Sequence, residues 1–437
     1  MRVQGHRHID AGVVNARGAA RLGVRPSRST SIVLTAVALI TIACLLRPPT
    51  SALGPVITSV QIDLGVGPVW AGFLQGLGSL CLALLGLVAA GAASKADLKT
   101  LMVVVSIGLV LGSLTRALIV HWTVFSVATA IAAACGALAT VLIPSLIMRW
   151  FPRHIPQMSA ITAAGIIAGT ALGSAVTPAV AAATGSWRYG LGLWGVLAVV
   201  PLVLWLFVPR SSTPEAAPKK TSVPKRRMSI GWTATFFGMH SANGTIVIAW
   251  LPGLLAQEGI SASSAGLAVG LFSVVGVPAA LLLPTLLARK VWAPVWLLPV
   301  GSAVSTALGW AGLTIVPSWY IVWVVLFGLS MAAYPWTLTR IAERSQDSQA
   351  AMWVTARVNL IGYGMAALAP LLVGALIGAQ LDSRLIFAIV GAFSPIYAVA
   401  GLMASRAQIA ETERSDPSSG HSSRATRPGT SKEFERK

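Results

Sequence analysis

The stretches GVGPVWAGFLQGLGS (65–79) and GISASSAGLAVGLFS (259–273) carry the same small residues at the same places. Gly65, Ala71, Gly72, Gly76, Leu77 and Ser79 return 194 positions later as Gly259, Ala265, Gly266, Gly270, Leu271 and Ser273. One such cluster is weak in a chain rich in Gly and Ala, but two more lie near the same offset. Pro144 and Arg149 reappear with equal spacing as Pro335 and Arg340, and Thr162, Ala163 and Gly169 reappear as Thr355, Ala356 and Gly362. The chain therefore reads as two repeated halves.

Around these stretches the sequence is apolar. Of the 437 residues, 55% are hydrophobic and 10% charged, with a mean hydropathy of +0.76. A water-soluble protein carries about 25% charged residues, so a soluble surface of this size cannot be built. Runs of about 20 mostly apolar residues, the length a spanning helix needs, cover 31–58, 69–92, 100–120, 123–149, 156–183 and 187–208. A polar stretch rich in Pro, Ser and Lys (210–229) separates them from further runs at 230–256, 264–288, 292–316, 318–340, 350–379 and 384–405. The expected fold is an all-α membrane protein with twelve transmembrane helices in two six-helix bundles (31–209 and 230–406). An even number of spans per half makes the repeats parallel, with a substrate site expected between them at mid-depth. A basic tail (1–30), the linker (210–229) and a disordered tail (407–437) complete the division, the last because it is Ser-, Arg- and Glu-rich without an apolar period.

Charge sorts by membrane side. Every acidic residue lies outside the runs or at their ends, as expected where a central charge costs about 2.5–3.5 kcal/mol. With the N-terminus in the cytoplasm, all Lys and Arg fall on cytoplasmic segments except Arg47, Arg116, Arg188, Arg357 and Arg384. That asymmetry is the positive-inside pattern. It accounts for the net charge of +19 without nucleic acid, and it puts both termini in the cytoplasm of a bacterial inner membrane. No short apolar stretch with a cleavage site follows the basic start, so the first run is read as a span rather than a signal peptide. Cys44, Cys81 and Cys135 lie in apolar runs without metal spacing and are expected to pack helices. No GxxxxGK[ST] loop, His/Glu metal motif or paired catalytic groups occur in the spans. Neither an enzyme nor a nucleotide-driven pump is expected, and no cofactor.

Polar residues inside the runs are the candidate site. Arg47 lies well within the first run, where a guanidinium faces a cavity or a partner, and no run holds a carboxylate to pair with it. A solvated Arg with five donors and a fixed charge favours an anionic or strongly dipolar substrate. Shifting Arg47 by 194 lands on Ser241, beside His240, so the two polar groups are expected at equal depth. His240 is the residue through which proton coupling would run, and Asn243 follows it at helical spacing. Arg357, Asn359 and Tyr363 lie early in the eleventh run. For Arg357 snorkelling to lipid headgroups is the larger expectation, while Asn359 and Tyr363 share a face. Tyr334 precedes Pro335 in the tenth run. Arg149, Arg340 and Glu343 flank matching cytoplasmic ends and are candidates for an ion-pair gate, with ordinary positive-inside charge as the plainer reading. The glycines 165, 169 and 173 are spaced for close helix packing. Pro144, Pro178, Pro252, Pro278 and Pro370 are expected to kink their helices.

Several local stretches carry a more particular likeness: LLRPPTSALGP (45–55), SLIMRWFPRHIPQMSAI (145–161), AWLPGLLAQEGISASSAGL (249–267), VPAALLLPTLLARK (277–290), GLSMAAYPWTLTRIAER (328–344) and GYGMAALAPLLVGAL (362–376). Together they resemble the cyanate and nitroimidazole permease branch (CynX/NimT type) of the major facilitator superfamily, over nearly the whole chain apart from the tails and the linker. The resemblance implies a secondary active or facilitative transporter that works by alternating access. Its solute would be small and polar or anionic, a cyanate-like anion or a nitroimidazole-like compound. A monomer is expected, with the substrate and membrane lipid as its partners. An exporter of small amphipathic compounds is the alternative, and a membrane sensor without flux a more distant one. The chain departs from the branch at Leu45, His240, Asn359 and Arg357, where the branch has Asn, Gln, Gln and an apolar residue. The loop GAASKADLK (91–99) departs from the superfamily pattern between the second and third spans.

Overall fold

The computed structural model describes residues 28–92, 97–209, 230–288, 294–344 and 348–406. The expected linker (210–229) and tail (407–437) lie outside the described residues, and so does the basic tail (1–30) except for 28–30. Within them the chain is helical, in spans numbered here α1 to α12. The first half comprises α1 (28–64), α2 (Pro68–Ala92), α3 (Leu98–Leu118), α4 (Trp122–Trp150), α5 (Ile155–Thr184) and α6 (Trp187–Phe207). The second comprises α7 (230–257), α8 (Ala262–Ala288), α9 (Leu297–Ile315), α10 (Pro317–Ile341, continuing to Arg344), α11 (Ser348–Gly378) and α12 (Ser383–Arg406). Eleven are long and apolar enough to cross a membrane on length and composition alone. The exception is α7, which is broken at Trp250 ahead of Pro252 and carries Thr, His, Ser, Asn and Gly through its length. It completes the expected twelve.

Both termini of the described chain lie on one face, here the terminal face; the turns at Gly65, Gly185 and Gly259 lie on the far face. Each of these three glycines takes a positive φ (62°, 70° and 84°), the left-handed geometry that ends a helix without a Cβ clash. Gly65 and Gly259 are repeat partners, so the offset of 194 reproduces a backbone turn as well as residue types.

The halves meet through α2 against α11 and α5 against α8. Both seams bring backbone onto backbone at glycines. A side chain at Gly72 or Gly76 would run into the carbonyls of Pro370 or Ala367, one at Gly374 into that of Pro68, and one at Gly266 into that of Ser174. Gly54 of α1 sits against the carbonyls of Ile248 and Ala249 of α7 in the same way. Gln75 Nε2 adds a 2.6 Å hydrogen bond to the Ala249 carbonyl across the halves. All these residues lie in the far-face parts of their spans.

Toward the terminal face α5 changes character. Gln157, Ser159, Ala160, Ile161, Ala163 and Ala164 are exposed, whereas Gly165, Gly169, Thr170, Gly173, Ser174 and Thr177 are buried. One helix is thus clasped at its far end and open on more than one face at its near end. The helices run unbroken through Pro144, Pro178, Pro278 and Pro370. Of the prolines expected to bend helices only Pro252 stands at a break. A further break, in α1 at Leu46–Arg47 ahead of Pro48–Pro49, stands where no kink was expected.

Candidate functional site

α1 is helical over Arg28–Leu45, bends at Leu46 and Arg47, and resumes at Pro48–Ser51. Pro48 and Pro49 have no N–H, so the carbonyls one turn earlier lose their helical partners. The surrounding helices accommodate the break. Gly169 of α5 leaves room for the Cys44 carbonyl and Gly136 of α4 for that of Leu46, while Gly173 faces Pro48 and Ser51. The Arg47 carbonyl accepts from Thr50 N (3.0 Å), Ser51 N (2.9 Å) and Thr50 Oγ1 (2.9 Å). Ser174 Oγ donates to the Ser51 carbonyl at 3.2 Å. Arg116 Nη1 of α3 donates to the Pro49 carbonyl at 2.5 Å. The glycine series of α5 is therefore the packing device its spacing predicts, and what it packs is the break.

The break places the Arg47 side chain half-buried between the halves. Among the described residues its guanidinium has no hydrogen-bond or ion-pair partner. Facing it from the second half are two phenols, Tyr334 and Tyr363, which lie within electrostatic reach of the guanidinium. Tyr334 opens the last segment of α10, after a tight turn at Ser330–Ala332. Tyr334 is 39% exposed. Phe237 of α7 holds both rings, at 5.8 Å from Tyr334 and edge-on at 5.1 Å from Tyr363. One turn from Tyr363, Asn359 is half-buried and without a hydrogen-bond partner among the described residues. One cation, two phenols, an aromatic ring and an amide are the polar and aromatic groups of this region.

The other expected residues are placed elsewhere. His240 is buried, with Nδ1 at 3.5 Å from Tyr397 Oη of α12. Asn243 is buried and accepts from Trp310 Nε1 of α9 at 2.8 Å. Both side chains engage the outer helices of their own half. Arg357 is exposed on the stripe that includes Trp353, Ile361, Leu368 and Leu372, with its guanidinium 3.5 Å from the Trp353 ring centroid. That is the geometry of a snorkelling Arg on an outer face. Of the expected gate, Arg149 lies over Trp150 and Arg340 over Trp336, each at 5.8 Å and each within its own half. The Glu343 side chain lies outside the described ones.

Two features escaped the reading of the sequence. Arg116, counted with the charges of the opposite face, is fully buried and supports α1. Its signal was present in the repeat: adding 194 to Pro49 and Arg116 gives Asn243 and Trp310, the pair bonded in the second half. Second, each half has a far-face latch. Asp63 accepts from Trp187 Nε1 (2.8 Å) and Arg188 (3.4 Å), tying α1 to α6. Glu258 accepts from Ser383 Oγ and from Arg384 (3.3 Å), tying α7 to α12.

Comparison with known proteins agrees with this architecture. The solved nucleoside transporter NupG superposes with a TM-score of 0.69 at 12% identity, covering 86% of this chain and 98% of that one. A bacterial homolog of the human lysosomal transporter Spinster, inward-facing and occupied, gives 0.70 at 17%, covering 89% and 99%. In sequence the chain is 28% identical to the uncharacterized transporter YycB of Bacillus subtilis (strain 168) over 342 residues, 77% of this chain and 84% of that protein. It is 28% identical to the 2-nitroimidazole transporter of Escherichia coli (strain K12) over 390 residues, 87% and 97%. The cyanate transport protein CynX of the same organism matches at 26% over 196 residues, 44% and 50%. The family model of the Major Facilitator Superfamily matches residues 39–362, and with twelve spans, two parallel halves and a polar centre between them, this chain is a transporter of that superfamily.

Proposed function

We propose that the protein carries a small anionic or strongly dipolar, planar solute across the bacterial inner membrane by alternating access, with Arg47, Tyr334 and Tyr363 as the principal binding groups. The observation that carries this reading is the Arg47 guanidinium: held at mid-span by a proline break, half-buried, and without a described protein partner. An ion of fixed charge in that position is stabilised by a counter-charge that arrives and leaves. Tyr334 and Tyr363 supply hydroxyls that donate to oxygen or nitrogen acceptors, and Phe237 and the phenol rings supply a flat apolar wall. Cyanate and a nitroimidazole, the solutes that the names of two relatives carry, both present a compact electron-rich edge to such a site, the nitro compound adding a ring for the wall.

The sorting of Lys and Arg supports a cytoplasmic terminal face. The glycine seams then close the periplasmic side, and the exposed near end of α5 borders an opening to the cytoplasm. In this conformation Arg47 exchanges solute with the cytoplasm. Parting of the α2–α11 and α5–α8 seams would turn it to the other side.

The test is flux into proteoliposomes of labelled cyanate, then of a labelled 2-nitroimidazole, for wild type and Arg47→Ala. Saturable flux of either compound that the substitution removes supports the reading, and flux that survives it returns Arg47 to a structural role. Absence of flux for both compounds with wild type would overturn the proposed solute class.

A further inference from the structure

We propose that Arg116, Ser113 and Thr129 form a second, internal site, for a small inorganic anion of halide size, behind the break in α1. Arg116 is fully buried. Nη1 reaches the Pro49 carbonyl, but Nε and Nη2 are buried with no hydrogen-bond partner among the described residues. The same holds for Ser113 Oγ, one turn earlier on α3, and for Thr129 Oγ1 on α4. Gly112 joins these helices: a Cβ there would lie 2.7 Å from the Ala128 carbonyl and 2.9 Å from Ala132 N. This contact brackets Thr129 against the turn of α3 that carries Ser113. The Ser51 hydroxyl, also without a partner, faces Gly173 of α5 and is not counted in the site.

The chemistry of these groups selects the occupant. A guanidinium stays charged in any protein environment, and a buried charge is ordinarily paired. Among the described residues no carboxylate pairs with it. The sequence holds no Asp or Glu between Asp97 and Glu215, and the Asp63 of α1 is engaged by Trp187 and Arg188. The last carbonyls of α3 supply only a fraction of a charge. The acceptor on the wall, the Pro49 oxygen, is already taken, and the groups left over can all donate. Water satisfies donors but leaves the charge; a halide does both.

The second half shows what the scaffold alone requires. At the positions 194 later, Trp310 donates to Asn243, a neutral pair whose donor has a single N–H. Bracing the first span from the third therefore needs one donor, and Arg116 brings four more N–H groups and a charge. The inference stands apart from the solute assigned to Arg47.

The experiment uses the full-length protein in detergent. Its Tm is read in sodium bromide and chloride against sodium gluconate at constant ionic strength. We expect halide to raise Tm by about 2 °C or more, and Arg116→Gln to lose that increment. Should Arg116→Gln not fold, Ser113→Ala and Thr129→Val are expected to raise the half-saturating bromide concentration several-fold. A bromide-soaked crystal should show anomalous density beside Arg116. The proposal is overturned if halide leaves Tm unchanged, if Ser113→Ala and Thr129→Val respond as wild type does, or if the density at Arg116 is water alone.

Discussion

The two halves of this transporter are built on one plan and solve the same position differently. In the second half, α7 runs unbroken past His240 and Asn243, and both side chains engage the outer helices α12 and α9. In the first half, α1 breaks at the matching depth, its brace from α3 is a guanidinium bonded to a backbone carbonyl, and the residue at the bend, Arg47, is left to face the cavity. One half uses its polar residues to hold itself together. The other uses proline to free a carbonyl, closes the backbone with glycines, and leaves a charged side chain without a partner among the described residues. Symmetry of fold thus coexists with a division of labour. To the proposed site the second half contributes phenols and an aromatic floor, and the first contributes the charge.

The largest test of that division compares Arg47 with its repeat partner. Arg47→Ala is expected to lower saturable flux at least ~10-fold, the effect of losing about 1.4 kcal/mol or more of binding to a charged group. Ser241→Ala, at the same depth in α7, is expected to leave flux within about twofold. Equal losses would break the comparison. A second test concerns stability. Asn243→Leu leaves the buried Trp310 N–H without its acceptor, a cost of about 1–3 kcal/mol, read as a lower Tm with the KM of the folded fraction unchanged; a raised KM instead would move Asn243 into the solute site. A third sets Gly169→Ala against Gly362→Ala. The first methyl meets the Cys44 backbone carbonyl and the second mainly the Phe237 ring. Overpacking costs typically about 1–3 kcal/mol, and we expect the α5 substitution to be the more damaging because a ring can shift where a backbone carbonyl cannot. The smallest effect is expected at the latches. Asp63→Asn and Glu258→Gln remove ion pairs with partly exposed members, worth about 0–1 kcal/mol, and the loss should shrink further as salt is added.

Much of this was legible beforehand because it rests on local pattern. Span lengths, the offset of 194, the glycines of α5 and an Arg flanked by Pro-Pro inside an apolar run are all visible in one dimension. What was not legible depends on which way a side chain points once helices pack. His240 and Asn243 share a face, as their spacing predicts, but that face is turned toward α9 and α12 rather than the cavity. Arg116 looks like an end-of-helix charge because it stands in the last turn of α3; only the break in α1 gives its guanidinium a carbonyl to hold. The five prolines expected to bend helices share a composition cue with Pro48–Pro49. Two adjacent prolines strike two consecutive hydrogen bonds, however, and a helix absorbs one such loss more readily than two.

The seam between α2 and α11 has a thermal consequence. At Gly72, Gly76 and Gly374 the two backbones lie directly on one another, so parting the seam at these points uncovers little hydrocarbon. Heat-capacity change follows the apolar area exposed to water. The ratio of far-face-closed to far-face-open molecules should therefore follow a nearly straight van 't Hoff line. Temperature would then shift this gate at a constant enthalpy, without the optimum that governs the stability of the fold around it.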